Sequence, residues 1–246
     1  MLPVQQNTRY LKLPFHFDID RLNLELDNVL SSEWINHFNT RDYENGWSCA
    51  PLRSVDGRLD HIMSLSDENF LDTDILKRCP YFQDVLNHFH CDKTSVRLMS
   101  LEPGGIIKPH TDPGTSFEDG LARLHTPILT DPQIQFVIDG EAIHFSRGAT
   151  WYLNASCTHA VTNHSTTPRI HLMLDCIPNP WLQQIFDDAG FVPNDKPKYH
   201  DASINDDNVS EIIERLRAIG SATSMQMANE LSAIHAENQY TAEPTA

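Results

Sequence analysis

The sequence has no uninterrupted run of about 18 apolar residues, the length a membrane-spanning helix requires, so an integral helical membrane protein is excluded. Positive charge is scarce. Lys and Arg total 18 against 34 Asp and Glu, a formal net charge of −16, which repels polyanions and argues against nucleic-acid binding. Five cysteines (Cys49, Cys79, Cys91, Cys157 and Cys176) include no CxxC pair, which excludes a cysteine zinc site and a disulfide framework. Internal repeats and low-complexity blocks are absent as well. The opening MLPVQQNTRYLKLPF lacks a basic segment followed by an apolar one, so we expect no secretory signal and a cytoplasmic location.

The 246 residues are enough for one large domain or a domain with an appendix. Histidine is the one compositional excess, at 13 residues, and histidine is the commonest metal ligand. Apolar spacing predicts a helix over Asp20 to Phe38 and a short one over Tyr81 to Phe89. From Ser95 to Pro178 the pattern changes to short apolar segments broken by Pro, Gly, Asn and Asp. Strands are expected near 95–102, 121–129, 133–138, 141–145, 150–153, 159–163 and 169–177. Asp139-Gly140 falls between two of them and suits a type I′ hairpin turn, so the sheet should be antiparallel.

The last zone, 179–246, carries 11 acidic and 4 basic residues. It reads as a loop to about His200 followed by helices. Asn208 with Glu211 has capping-box spacing; Val209, Ile212, Ile213, Leu216 and Ile219 make an apolar stripe that Gly220 ends. A second helix is expected from Ser224 to about Glu237, then a disordered tail from Asn238. The organisation expected is an N-terminal mixed part (1–94), a β core (95–178) and an acidic helical extension (179–246).

The most informative segment is Lys108-Pro109-His110-Thr111-Asp112. In extended chain, residues i and i+2 face the same side, so His110 and Asp112 can converge on one ion. A further histidine from a distant strand would complete a 2-His-1-carboxylate facial triad, which leaves open coordination positions. His159, His164 and His171 are the candidates. Arg169 follows His159 by ten residues. If both strands line one barrel, that guanidinium points inside, where it needs a carboxylate partner.

These residues carry a family resemblance. VRLMSLEPGG (96–105) before PHTD, ARLHTPI (122–128), GATWYLN (148–154) before HAV, and PRIHLMLD (168–175) resemble the aspartyl/asparaginyl β-hydroxylase-like family of Fe(II)- and 2-oxoglutarate-dependent oxygenases, in particular its bacterial proline cis-4-hydroxylase branch. The resemblance implies a mainly β fold with flanking helices: a double-stranded β-helix (jelly-roll, cupin-like) core plus a C-terminal helical extension. It implies Fe(II) held by His110, Asp112 and His159, and Arg169 on the distal carboxylate of 2-oxoglutarate, with O₂ as oxidant. It also places the strand of Arg123 and His125 beside the pocket. On that footing Arg123 is expected to bind the substrate carboxylate and His125 to help orient 2-oxoglutarate.

The presence of Asp112 is like the branch that acts on free amino acids, so a small, amino-acid-like substrate is expected. The rival readings are a peptide or protein Asp/Asn-type hydroxylase, a zinc hydrolase using the same three ligands, and a metal-binding jelly roll without turnover. His164, in a polar turn, is expected at the surface; His171 shares a strand face with Arg169.

Overall fold

In the computed structural model the described residues are 7–63, 69–193, 199, 201 and 203–240. The chain divides into two units, Met1–Pro193 and Asn194–Ala246.

Two antiparallel sheets face each other in the first unit. The larger is built from β1 (Tyr10–His16), β2 (Ile35–Asn36), β4 (Trp47–Val55), β5 (Phe70–Asp72), β6 (Lys93–Leu101), β8 (Ala122–Leu129), β11 (Ala149–Leu153) and β13 (Arg169–Cys176). Their order is β1-β11-β8-β13-β6-β4-β2, with β5 on β4. The smaller sheet combines β3 (Tyr43–Glu44), β7 (Ile106–His110), β9 (Ile134–Ile138), β10 (Glu141–Ile143) and β12 (His159–Asn163), in the order β10-β9-β12-β7-β3. Two facing antiparallel sheets of this kind form a jelly roll, the fold class expected.

The large sheet is covered on both faces, and this is what positions the site. Along β13, Leu172, Leu174 and Cys176 face one way and join the apolar core beneath α1 (Ile19–Leu26), α2 (Asp74–Lys77), α3 (Pro80–Asn87) and α4 (Pro180–Asp188). Arg169, His171, Met173 and Asp175 alternate onto the other face, toward the small sheet. On β6, Val96 and Leu98 go to the helices while Arg97 and Met99 do not; on β8, Leu124 goes to the helices and Arg123 and His125 to the interior. The helix-side core, with Phe82, Phe186 and Tyr152 fully buried, supplies the apolar burial; each such side chain is worth roughly 1.5–3 kcal/mol.

The strands of the β-rich zone fall close to their expected limits. Asp139 (φ 45°) and Gly140 (φ 80°) make the turn between β9 and β10 with the two positive φ values a type I′ turn demands. Other expectations need correction. The helix foreseen over Asp20 to Phe38 stops at Leu26, because the chain turns at Asp27–Leu30 and then pairs Ile35 and Asn36 with β4. The stretch expected as loop before His200 contains α4, whose N-cap Asn179 accepts a hydrogen bond from Leu182 N; His200 itself lies outside the described residues.

In the second unit, α5 (Val209–Ile219) ends at Gly220 (φ 69°), as the stripe required. Asn208, however, does not cap it: its side chain accepts from Asn205 N and donates to Ser203 O instead. The helix α6 (Ala222–Tyr240) runs through Asn238 to Tyr240, where disorder was expected, and residues 241–246 lie outside the description. Val209, Ile213, Ala228 and Leu231 form this unit's core. No helix among the described residues is long and apolar enough to cross a membrane.

Candidate metal centre

The crossing from the large sheet to the small one brings His110 into place. Between β6 and β7 the chain turns through Pro103-Gly104-Gly105. A Cβ at Gly105 would lie 2.6 Å from Leu101 Cδ1 and 2.8 Å from Asn45 O, so only glycine lets the backbone pass there. The strand β7 then pairs with β12, with His110 directly opposite His159 and their ring centroids 4.3 Å apart. Asp112 lies just beyond the strand end, its N–H donating to Ala155 O (2.8 Å) and its carbonyl accepting from Thr115 N (3.2 Å).

The result is one nitrogen from each histidine and one oxygen of Asp112, all within 4.8 Å of one another, with His110 Nε2 3.9 Å from Asp112 Oδ1. Tautomers follow from the hydrogen bonds. His110 Nδ1 meets Lys108 O at 2.8 Å and His159 Nδ1 meets Cys157 O at 3.0 Å. A carbonyl can only accept, so both Nδ1 atoms carry the proton and both Nε2 lone pairs are left for a metal. Burial, with His110 beside it, lowers the pKa of His159 to about 4, which keeps it in the ligating form. Burial opposes the charge of Asp112, yet Arg123 and the two histidines hold its carboxyl below the usual range. His164 is exposed and takes no part. A neutral-nitrogen and carboxylate donor set of this kind suits a divalent transition metal.

The centre opens into a cavity of about 310 Å³ between the sheets. Arg169 lies in its wall, only 4% exposed, over the face of Phe136. Its one hydrogen-bond partner among the described residues is His171 Nδ1 at 3.0 Å, and no described carboxylate meets it. Burial alone lowers its pKa to about 9, the mark of a cation without a counter-ion. His125, also lining the cavity, has no hydrogen-bond partner for either ring nitrogen among the described residues. Burial, then Arg169, pushes its pKa well below the ordinary histidine value, so it is neutral. The cavity thus holds a buried cation and an unsatisfied imidazole next to the ligand set, and these residues fit a metal together with a chelating dicarboxylate.

Arg123 is placed on the cavity wall but is already engaged. Its Nε donates to Asp175 Oδ1 at 2.8 Å, its Nη2 to Asp175 Oδ2 at 3.2 Å, and its Nη1 to Asp112 Oδ2. Arg97 donates to the same Asp175 carboxylate at 2.9 Å and to Ile62 O, and its buried Nε has no partner among the described residues. Asp175, fully buried between two arginines, had no role in the sequence reading. The alternation from Arg169 through His171 would have put it on the cavity face. His37 and Trp47, which stack at the cavity wall, gave no such signal, since His37 sits beyond a two-residue strand.

The fold and the site define a jelly-roll protein with a candidate 2-His-1-carboxylate metal centre. Residues 17–178 match the Aspartyl/Asparaginyl beta-hydroxylase family, and the chain belongs to it. Among curated proteins it is similar to the L-proline cis-4-hydroxylase of Rhizobium meliloti (strain 1021), 27% identical over 163 residues. That match takes in 65% of this chain and 57% of the relative, so the chain spans little more than half of the relative's length. Among solved structures, an oxidoreductase of the 2OG-Fe(II) oxygenase family from Burkholderia pseudomallei matches with a TM-score of 0.47 at 12% identity, covering 69% of this chain and 85% of that one. A Pseudomonas putida prolyl-4-hydroxylase matches with a TM-score of 0.43 at 12% identity, covering 70% and 93%.

Proposed function

We propose that this protein is an Fe(II)- and 2-oxoglutarate-dependent dioxygenase that hydroxylates an unactivated C–H bond of a small carboxylate, a free amino acid or a close derivative. The observation that carries this reading is Arg169: a buried guanidinium lacking a carboxylate partner among the described residues, in the same cavity as the triad. Neither a zinc hydrolase nor a non-catalytic jelly roll has a use for that charge. His110, Asp112 and His159 would hold Fe(II), which when bound supplies oxidation by O₂ coupled to conversion of 2-oxoglutarate to succinate and CO₂.

The chain's own residues do the positioning. Arg169 fixes the distal carboxylate of 2-oxoglutarate through a charge-assisted fork, and neutral His125 supplies a ring nitrogen to orient the co-substrate. Arg123 ties the non-ligating oxygen of Asp112 to Asp175, and with Arg97 presents positive charge to the substrate. Among the described residues, the guanidiniums of Arg97, Arg123 and Arg169 and the carboxylates of Asp112 and Asp175 line or underlie the cavity. Met63, Phe136, Ile107, Val161 and Met173 make the rest of the wall apolar and keep water from the reacting C–H.

The test is succinate formation, with mass-spectrometric detection of one added oxygen, across free amino acids with L-proline as the first probe. The amide of each responding amino acid, and a peptide containing it, are run alongside. Turnover of the free acid over the amide and peptide is expected. Equal turnover of an internal peptide residue would transfer the reading to a peptide hydroxylase.

A further inference from the structure

His37 is a buried, oriented hydrogen-bond donor that neither the metal centre nor the 2-oxoglutarate contacts employ. Its backbone N–H donates to Trp47 O at 2.9 Å, extending the pairing of β2 with β4 by one residue. The ring lies face-on against Trp47, with centroids 3.6 Å apart and 14° between planes, and Phe38 stacks on it at 4.6 Å. The Asn39 backbone N–H donates to His37 Nδ1 (3.3 Å), so a neutral ring carries its proton on Nε2. That Nε2 has no partner among the described residues, although the side chain is only 8% exposed and lines the cavity. Trp47 in turn sits 6.4 Å from the ring of His110, so the stack leads from the cavity wall to the metal centre. An imidazole clamped between two rings, with one nitrogen used internally and the other unmet, is built to receive something from the cavity.

We propose that His37 is a substrate-contacting, specificity-determining residue, whose Nε2–H donates to the carboxylate of the amino-acid substrate while the Trp47 stack fixes its direction. This rests on the amino-acid reading above. His37 adds a neutral donor to the charge that Arg97 and Arg123 bring to the same region, and so favours an oxygen acceptor over the N–H₂ of an amide.

The test compares wild type with His37→Phe, which keeps the stack and loses the donor, and His37→Gln, which restores a donor without the ring. The readouts are KM and kcat, measured with Fe(II), saturating 2-oxoglutarate and the amino acid turned over fastest by wild type. His37→Phe is expected to raise the amino-acid KM about 10- to 100-fold, the range for losing a hydrogen bond to a charged group. The loss should fall on KM rather than kcat, the preference for free acid over amide should shrink, and His37→Gln should recover part of both. As a variant-free measurement, the His37 Nε2–H resonance of ¹⁵N-histidine-labelled wild type, with Zn(II) replacing iron, should move downfield when that amino acid is added. A folded His37→Phe enzyme with wild-type KM and acid-over-amide preference, or a resonance that does not move, overturns the assignment. If wild type turns over no free amino acid, the amino-acid reading itself is refuted and this inference falls with it.

Discussion

Removing the Arg169 charge should weaken 2-oxoglutarate binding without harming the ligand-free fold, an opposition that an ordinary structural arginine would not show. Arg169 is 4% exposed, its only hydrogen bond among the described residues is to a neutral imidazole, and burial lowers its pKa to about 9, well below the ordinary arginine value. That depression corresponds to a burial cost of about 5 kcal/mol at neutral pH. In Arg169→Met the cost disappears together with the guanidinium. The ligand-free variant should therefore be no less stable than wild type, and up to about 4 kcal/mol more stable in urea. The dicarboxylate meanwhile loses a charge-assisted pair, raising its Kd about 30- to 1,000-fold, read by anaerobic calorimetry on Fe(II)-loaded protein. The sign of the pH dependence is fixed. A cation whose folded pKa is depressed carries its full penalty below pH 9 and sheds it as pH rises from there toward the ordinary arginine value, so the stability gap between variant and wild type should narrow above pH 9. An Arg169→Met protein that is several kcal/mol less stable yet binds 2-oxoglutarate normally would place the side chain in the scaffold and remove the main support for the oxygenase reading.

Three more outcomes are expected. His110→Ala, Asp112→Ala and His159→Ala should each abolish stoichiometric Fe(II) binding in equilibrium dialysis while far-UV circular dichroism is retained, whereas His164→Ala should bind iron like wild type. Asp175→Asn strips the shared counter-charge from Arg97 and Arg123 and should cost about 3–5 kcal/mol, seen as a lower urea midpoint; an unchanged midpoint would mean that the two arginines do not depend on it. Acid should destabilise the fold early: His37 and His159 stay neutral to about 3 and about 4, while the unfolded chain takes up their protons below 6.5. Stability is then complete above pH 6.5 and falls below it, with His159 alone contributing about 3 kcal/mol by pH 4, a loss checked by urea midpoints at pH 7, 6 and 5.

What was legible in the sequence was whatever repeats with a short period or announces itself through turn chemistry. The strands from 93 to 176 alternate and are separated by Gly, Pro and Asp, so their limits and the Asp139-Gly140 hairpin could be read directly. Strand parity paired His110 with Asp112, the family resemblance selected His159 over His164 and His171 and assigned Arg169 and His125, and the fold brings all five to one cavity. The N-terminal part was harder. Its apolar positions at 22, 26, 29 and 30 mimic a continued helix, and only the pairing of Ile35 with Cys49 shows that the chain has left it. Arg123 was legible as a cavity residue but its partners were not, because Asp175 reaches it across the β8–β13 register rather than along the sequence. The Asn208 cap failed for a related reason: spacing identifies a capping residue, but a competing turn at 203–208 claimed its side chain.

The two-sided use of β13 sets a rule for how the protein can change. Its odd-numbered positions from 169 to 175 face the chemistry and its even-numbered ones face the helices, so replacements at 172 and 174 should move melting temperature alone, while replacements at odd positions should alter the cavity chemistry, with the charged Arg169 and Asp175 moving stability as well. Changes in length have no such freedom. Deleting Ile170 or His171, with the upstream residues held in register, would turn Leu172 and Leu174 into the cavity and Asp175 into the apolar core, exchanging the two faces from that point on. Diversification along this strand is therefore open to replacement and closed to insertion or deletion, and new specificities must come from side-chain exchange here or from loops such as the one that carries His37.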